Sequence, residues 1–200
     1  MFVNEDTIGS RRGAILEAAF RCFAQYGFKR VSMDDIATAA GLSRPALYNH
    51  FKNKTEIFRA CFAALGAQVA DEACAASSKA GGLVEALDQL LATAFVKPHR
   101  ELGLMPHGAE LIGMKNEFAA DLMAEWFAGV EKQAAVLIEK WQGNAADPLY
   151  PPATVARLLV DAVEGIKTRA PSIDEAEADM KAMVRLFAAA IGPTKDQSQT

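Results

Sequence analysis

The sequence has little cysteine and no long uninterrupted apolar run. Its three cysteines, Cys22, Cys61 and Cys74, lack CxxC spacing, so each is interpreted as a small buried hydrophobic residue in a reducing compartment. No apolar run approaches the roughly 18 residues of a membrane span, and the opening MFVNEDTIGSRR has acidic residues where a signal peptide carries basic ones. We therefore expect a cytoplasmic protein that does not associate with membranes.

Strand patterns and catalytic signatures are also lacking. The sequence shows no paired carboxylates, Ser/His/Asp set, phosphate-binding glycine loop or metal cluster. His99 and His107 are eight residues apart, without a cysteine or carboxylate at ligand spacing, so no metal site is expected. We expect no cofactor and no enzymatic activity. Apolar residues instead recur at helical spacing, which predicts an all-α protein of about nine helices.

Charge is unevenly distributed along the 200 residues. The formal net charge is −4, but residues 1–60 contain nine Lys/Arg against six Asp/Glu, whereas residues 61–200 contain twelve against nineteen. The first segment is therefore +3 and the second −7. Such asymmetry predicts that a basic head meets a polyanion while an acidic body has another role.

Two short helices joined by a tight turn are predicted in the basic head. Ser32 precedes MDDIATAA, and Asp35 follows three residues later as a short capping box. Gly41 makes the turn, Ser43 caps the next helix, RPALYNHF, and Pro45 is tolerated in its first turn. This is the pattern of a helix-turn-helix.

Longer helices are predicted on both sides of this pair. Helix one covers residues 14–26 and ends at Gly27, and a fourth helix begins at Asn53 with Glu56 three residues later. A fifth helix follows Gly81–Gly82 and ends near Pro98, and residues 100–115 are expected to form one or two short, irregular helices. Asn116 is expected to cap a long helix that reaches Trp141, and two final helices cover residues 155–166 and 172–191.

The second short helix has one side suited to packing and another suited to base recognition. Leu47 and Phe51 fall on one side, while Pro45, Ala46 and Asn49 fall on the other. Asn49 can pair with adenine, Ala46 can contact a thymine methyl, and Arg44 can reach guanine. Tyr48, His50 and Lys54 offer a hydroxyl, an imidazole and an ammonium group, which suit phosphate contacts at the groove edges.

Residues 14–62, AILEAAFRCFAQYGFKRVSMDDIATAAGLSRPALYNHFKNKTEIFRACF, resemble the N-terminal domain of the TetR (tetracycline-repressor-like) family of transcriptional regulators. The resemblance implies a DNA-binding domain over residues 1–53 and an effector-binding and dimerisation domain over residues 54–200. Pro45 departs from the glycine that many members carry, which removes one backbone donor. The implied DNA-binding residues are Arg11, Arg12, Ser32, Ser43, Arg44, Pro45, Ala46, Tyr48, Asn49, His50 and Lys54.

The body is expected to bind a small apolar or aromatic effector and to form a homodimer. One head covers about half a turn of DNA, so specific binding to a double-stranded palindromic operator requires two. The candidate effector-binding residues are Phe95, Met105, His107, Met114, Met123, Trp126 and Phe127. The candidate dimer interface, on the last two helices, comprises Val155, Leu158, Leu159, Ala162, Val163, Ile166, Met180, Met183, Val184 and Phe187.

Two other functions stay open at this point. An all-helical small-molecule carrier or enzyme would share the helical pattern, although the sequence offers no catalytic set. A sequence-independent DNA-packaging protein would share the helix-turn-helix, but its positive charge would extend over the whole chain, whereas residues 61–200 are acidic here. The preferred hypothesis is a ligand-responsive regulator, more specifically a repressor, because a dimer on promoter DNA blocks transcription without further activity.

Overall fold

The computed structural model describes residues 10–142 and 150–191, except for the side chains of Lys115 and Asn116. These residues form helices and connecting loops, with no strand among them, as predicted. Three segments, Leu83–Leu91, Ala92–Val96 and Lys97–Gly103, follow one another without a break, so the described residues form nine helical runs. The α-helices are α1 (Arg11–Tyr26), α2 (Met33–Ala39), α3 (Arg44–Tyr48), α4 (Lys54–Ser78), α5 (Leu83–Leu91), α6 (Lys97–Gly103), α7 (Gly108–Phe118), α8 (Ala120–Gln142), α9 (Pro152–Arg169) and α10 (Ile173–Ile191).

The run through α5 does not end near Pro98, and that prediction is wrong. The segment Ala92–Val96 is a π-helical turn, in which the Lys97 N–H bonds to the Ala92 carbonyl. Proline lacks an N–H, and its ring collides with the carbonyl four residues earlier in a regular α-helix. The wider turn just before Pro98 relieves that collision, so the helix continues to Gly103.

The break before the long helix α8 lies at Ala119 rather than at Asn116. Asn116 lies inside α7, α8 begins at Ala120, and the Ala119 carbonyl accepts the Met123 N–H at 2.9 Å. The prediction that Asn116 caps the long helix is therefore wrong. A backbone carbonyl at the break supplies the first bond of α8, and no capping side chain marks that position in the sequence.

The chain divides into two compact units. The first contains the described residues up to Val69 together with Pro98–Trp126, and the second contains Ala70–Lys97 and the described residues from Phe127 onward. Helices α4 and α8 contribute residues to both units. This division follows packing, so the predicted functional boundary between residues 53 and 54 stays a prediction.

The first unit has an aromatic core. Phe28 packs against Phe23 and Phe58, with ring centroids 5.3 Å apart in each pair, and against Phe118 at 5.5 Å. Aromatic rings at these separations add favourable interactions to the burial of their apolar surface. Ile57 at the start of α4 is fully buried beside them, so the core joins α1, α4 and α7.

The second unit is built around α10, which packs on α5 and α9. Leu87, Leu159, Val163 and Val184 from these helices are completely buried. Cys22 and Cys61 of the first unit are buried as predicted, whereas Cys74 is exposed, because Ala73 and Ser77 occupy the buried side of α4 in this region. None of the helices in residues 10–142 and 150–191 is long and apolar enough to cross a lipid bilayer.

Candidate nucleic-acid interface

Helix α2 begins with the capping box that the sequence predicts. Ser32 Oγ accepts the Asp35 N–H at 3.2 Å, and Asp35 Oδ2 accepts the Ser32 N–H at 2.8 Å. The hydrogen bond from the Ser32 hydroxyl, supported by the one from its backbone, lowers the pKa of the Asp35 carboxyl. Asp35 is therefore ionised at neutral pH, and Ser32 is fixed at the exposed start of α2.

Helix α3 is anchored by side chains on its buried side. Leu47 is completely buried and Phe51 nearly so, and both join the core that contains Ile36 of α2. Ser43 Oγ accepts the Ala46 N–H at 3.4 Å, and Gly41 makes the preceding turn with φ +66°. The helix ends at Tyr48 rather than at Phe51 as predicted. Residues 49–50 form a turn, in which the His50 N–H bonds to the Leu47 carbonyl three residues earlier at 2.9 Å.

The opposite side of α3 faces solvent. Arg44, Pro45, Tyr48 and Asn49 are exposed, and Tyr48 has 43% of its surface accessible. Ala46 and His50 are half-buried beside them. The predicted separation of a packed side from a free side is therefore present in the structure. An exposed helix side of this kind can enter the major groove without disturbing the core behind it.

Arg44 lies close to two neighbouring side chains. Its Nη1 lies 3.0 Å from Asp34 Oδ2, and its guanidinium carbon lies 5.6 Å from the Tyr48 ring centroid. The Tyr48 hydroxyl and then the Asp34 carboxylate raise the pKa of Arg44 above its ordinary value. Both members of the Arg44–Asp34 ion pair are exposed, so a guanine edge can compete for the guanidinium.

Lys54 contacts the backbone between α1 and α2. Its Nζ donates to the carbonyls of Phe28 and Val31 at 2.9 Å and to that of Lys29 at 3.2 Å, and lies 4.7 Å from the Phe28 ring centroid. These three carbonyls match the three donors of an ammonium group. Sequence reasoning missed this role, because the carbonyls lie 23 to 26 residues away in the chain.

Two arginines begin α1, after the cap in which Ser10 Oγ accepts the Gly13 N–H at 3.0 Å. Arg11 and Arg12 are both exposed. The Arg12 guanidinium carbon lies 4.3 Å from the centroid of Phe51, the residue whose ring supports α3. The Arg12 guanidinium therefore makes a cation–π contact with Phe51, on the buried side of the α2–α3 pair.

The predicted effector-binding residues fall in both units. In the first unit, Met114 belongs to the core, Met105 packs against it, and Trp126 lies so close to Gly66 that a Cβ there would be 3.1 Å from the indole ring. In the second unit, Phe95 and Phe127 stack at 5.6 Å. His107 and Met123 are half-buried residues of the first unit.

A cavity of about 650 Å³ opens beside α1 in the first unit. Met105 is the one predicted effector-binding residue that lines it. The sequence does not predict this cavity, because α1 falls in the predicted DNA-binding domain and the effector site is expected in residues 54–200. Apolar lining residues include Leu16, Phe20, Cys61, Ala64 and Pro106.

The predicted dimer-interface residues divide by exposure. Leu158 is 45% exposed, and Ala162, Ile166 and Phe187 are half-buried. Leu186, which the sequence reasoning did not select, is 72% exposed. The spacing of apolar residues predicts the stripes that form the core of the second unit. It does not show which neighbouring apolar residues remain exposed to solvent. The predicted residues that this unit buries in its own core are Val155, Leu159, Val163, Met180, Met183 and Val184.

Comparison with known proteins agrees with this geometry. The family described as "Bacterial regulatory proteins, tetR family" matches residues 15–61, which include α2, α3 and the start of α4. The similarity to this family is therefore shown over residues 15–61. The HTH-type transcriptional repressor Rv1474c of Mycobacterium tuberculosis is 36% identical over 90 residues, which are 45% of this chain. The match spans 46% of that repressor's length.

Solved TetR-family structures share the fold over most of the chain. A TetR transcription regulator from Haloarcula marismortui aligns with a TM-score of 0.69 at 20% identity, over 90% of this chain and 97% of that one. The Thermus thermophilus FadR repressor, in complex with lauroyl-CoA, aligns with a TM-score of 0.62 at 17% identity, over 94% and 99% of the two chains. At these identities, the likeness establishes the all-α fold.

Proposed function

We propose that this protein is a TetR-family, ligand-responsive transcriptional repressor that binds a palindromic operator as a homodimer. The observation that carries the proposal is the exposed side of α3, from Arg44 to Asn49, supported from behind by buried Leu47 and Phe51. A short helix presented in this way is the element that reads the major groove in helix-turn-helix proteins. The +3 charge of residues 1–60 favours approach to DNA.

The proposed contacts divide into base and phosphate contacts. Arg44, Pro45, Ala46 and Asn49 meet base edges, and each well-formed bidentate contact contributes about 1–3 kcal/mol of discrimination. The proposed phosphate and groove-edge contacts come from Arg11, Arg12, Ser32, Ser43, Tyr48, His50 and Lys54. Lys54 bonds to three backbone carbonyls between α1 and α2, and we propose that these bonds support that segment. Its proposed phosphate contact forms when DNA binds.

The proposed effector is a small apolar or aromatic molecule. The cavity beside α1 has a volume of about 650 Å³, within the range of small-molecule sites, and Met105 with Phe20 gives it an apolar wall. The lauroyl-CoA complex of the FadR repressor supports an apolar ligand for a protein of this fold. Such an effector releases DNA only if it binds one of two conformations more tightly. His107, Met114, Met123, Trp126, Phe95 and Phe127 stay candidate contacts.

The proposed dimer forms through the outer surfaces of α9 and α10. Exposed Leu158 and Leu186, with the half-buried Ala162, Ile166 and Phe187, supply apolar surface there. A two-fold interface of this kind brings two identical heads to the two half-sites of a palindrome. The proposed setting is the cytoplasm, where promoter DNA is accessible, and the proposed role requires no catalysis.

The direct test is titration of fluorescent DNA taken from upstream of the protein's own gene. We expect binding that resists competition by unrelated DNA and weakens as salt rises, because phosphate contacts release counterions. Equal affinity for both DNAs would instead indicate a packaging protein, and no binding to either would indicate a carrier or an enzyme. For the effector, N-phenyl-1-naphthylamine serves as an apolar probe, and its binding is expected to weaken operator affinity.

A further inference from the structure

The connection between α1 and α2, residues 27–32, is held from two sides. On one side, the Lys54 ammonium group bonds to three of its carbonyls. On the other side, Oε1 of Glu110, a residue of α7, accepts the backbone N–H of Lys29 at 3.2 Å. Glu110 lies 81 residues further along the chain and belongs to none of the proposed DNA contacts. We call residues 27–32 the α1–α2 connection below.

Helix α7 reaches this connection because its start packs on α1. The His107 N–H donates to the Ala24 carbonyl at 3.1 Å, immediately before α7 begins. The His107 ring then lies beside Glu110, with Nδ1 3.4 Å from Oε2. The side chains of His107 and Glu110 are 31% and 26% exposed, so both are largely enclosed. The carboxylate therefore accepts a hydrogen bond from the Lys29 amide and lies next to the His107 ring.

Gly27 leaves the space that Glu110 occupies. A Cβ at this position would lie 2.5 Å from Glu110 Oε2 and 3.0 Å from His107 Nδ1. Its φ of +82° is also one that residues with side chains rarely adopt. The positive φ favours glycine here, and the missing side chain also leaves room for the Glu110 carboxylate in its present position. This close approach connects the end of α1 to the first turn of α7.

We propose that Glu110 is a positioning residue for DNA binding. By holding the Lys29 amide, it fixes the α1–α2 connection against Lys54, and the connection leads directly into Ser32 at the start of α2. Helix α2 in turn packs against α3, which carries the proposed base contacts. The proposal rests on the proposed function. It adds a residue from α7, outside the matched residues 15–61, that determines the geometry of the head.

If Glu110 acted only through its charge, removing its carboxylate would strengthen DNA binding, whereas a positioning role predicts weaker binding. Loss of a negative charge strengthens binding to polyanionic DNA, and it does so equally whether alanine or glutamine replaces the residue. Positioning predicts a difference between the two. Glutamine keeps an oxygen that can accept the Lys29 N–H, whereas alanine does not. The sign of the change and the contrast between the two variants therefore separate the explanations.

The experiment compares the full chain with Glu110→Ala, Glu110→Gln and Glu117→Ala, the last removing an exposed carboxylate of the same helix. We expect Glu110→Ala to bind its upstream DNA fivefold to tenfold more weakly, roughly the net effect of losing one typical hydrogen bond. Glu110→Gln and Glu117→Ala should stay within about twofold of the parent. Alanine binding as tightly as the parent, or equal losses with alanine and glutamine, would overturn the proposal.

Amide hydrogen exchange gives a second measurement that does not require DNA. In Glu110→Ala, the Lys29 N–H should exchange faster than in the parent, while Glu110→Gln should preserve its protection. Unchanged exchange of the Lys29 N–H in the alanine variant would contradict the hydrogen bond from this N–H to Glu110. If the parent chain fails to bind DNA, the proposed function fails. If it binds and the variants do not differ, only the role of Glu110 fails.

Discussion

At the scale of single residues, the first turn of α7 depends on a glycine. A Cβ at Gly108 would lie 1.6 Å from the Leu102 carbonyl oxygen, which is backbone and cannot rotate away. We expect Gly108→Ala to destabilise the protein by about 3 kcal/mol, at the upper end of overpacking costs. Urea unfolding monitored by circular dichroism measures this change.

Gly113 provides the matched control on the same helix. It is exposed, and a Cβ there would meet no atom within 4 Å among the described residues. Gly113→Ala should therefore stabilise the protein by up to about 1 kcal/mol through helix propensity. If Gly108→Ala were as stable as the parent, the close approach at Gly108 would be wrong.

Local side-chain chemistry could be predicted from the sequence, but distant partners could not. The caps at Ser32 and Ser43 are confirmed, because each depends on a residue within three positions. The partners of Lys54 and Glu110 depend on how the chain returns to residues 27–32. The spacing of residues along one helix does not show which distant segment packs against it.

At the scale of helices, an ion pair joins α4 to the start of α8 in the first unit. Arg59 bonds to both Asp121 carboxylate oxygens, at 2.8 and 2.5 Å, and to the Phe118 carbonyl at 2.6 Å. The hydrogen bond from Arg59 lowers the pKa of Asp121 to about 2. Because this pKa lies below the unfolded value of about 3.9, the stabilisation is present above pH 4.

That stabilisation should disappear as pH falls toward 2. We expect Asp121→Asn to lower the free energy of unfolding at pH 6, and the difference from the parent to close between pH 4 and pH 2. Glu139→Gln, which changes an exposed carboxylate of α8, should show no such convergence. A difference for Asp121→Asn that stays constant over this pH range would contradict the ion-pair account.

Asp88, between α5 and α10 in the second unit, has the opposite pH dependence. Burial raises its pKa, an effect that Arg185 and Lys181 oppose, and its Oδ1 is buried without a hydrogen bond from the described residues. A raised carboxyl pKa means that the folded state holds the proton more tightly. The stability contributed by protonated Asp88 is therefore lost as pH rises.

Removing the Asp88 charge should stabilise the protein at neutral pH. We expect Asp88→Asn to unfold at higher urea concentration than the parent at pH 7, with a smaller gain at pH 4. Asp179→Asn, at an exposed position of α10, provides the control. Parallel stability curves for Asp88→Asn and the parent between pH 4 and pH 7 would refute the raised pKa.

The helix boundaries show why pattern alone misplaces some ends. Pro98 predicts a stop, but the π turn Ala92–Val96 accommodates it. Asn116 predicts a start, but it lies inside α7. In both cases the local preference is real and the packing of neighbouring turns overrides it. Glycines such as Gly27 and Gly41 were placed correctly, because their positive φ values are a local requirement.

At the scale of the whole molecule, the proposed homodimer depends on apolar side chains that the single chain leaves exposed. Leu186 is 72% exposed on α10. We expect Leu186→Glu to convert the dimer to a monomer in analytical ultracentrifugation and to weaken operator binding at least tenfold, because two heads no longer bind together. Val136→Glu, at a 51% exposed position of α8, should remain dimeric. A dimeric Leu186→Glu variant would remove this surface from the interface.

The sequence predicts the apolar stripes of α9 and α10. It does not separate the residues that form the core of one chain from those that form the proposed interface between two chains. Val163 and Val184 are completely buried within one chain, while Leu158 and Leu186 stay outside. Helical spacing assigns a residue to a side of its own helix. It does not show how many neighbouring helices cover that side, and a subunit core and a subunit interface have the same apolar pattern.

The central claim is that α3 reads base edges from Arg44 onward, and the most direct measurement is the specificity of Arg44→Ala. Its affinity for the upstream fragment and for random DNA should be compared with the parent at two salt concentrations. We expect a loss of about 1–3 kcal/mol on the upstream fragment and a much smaller loss on random DNA. Equal losses on both DNAs would contradict base recognition by this helix.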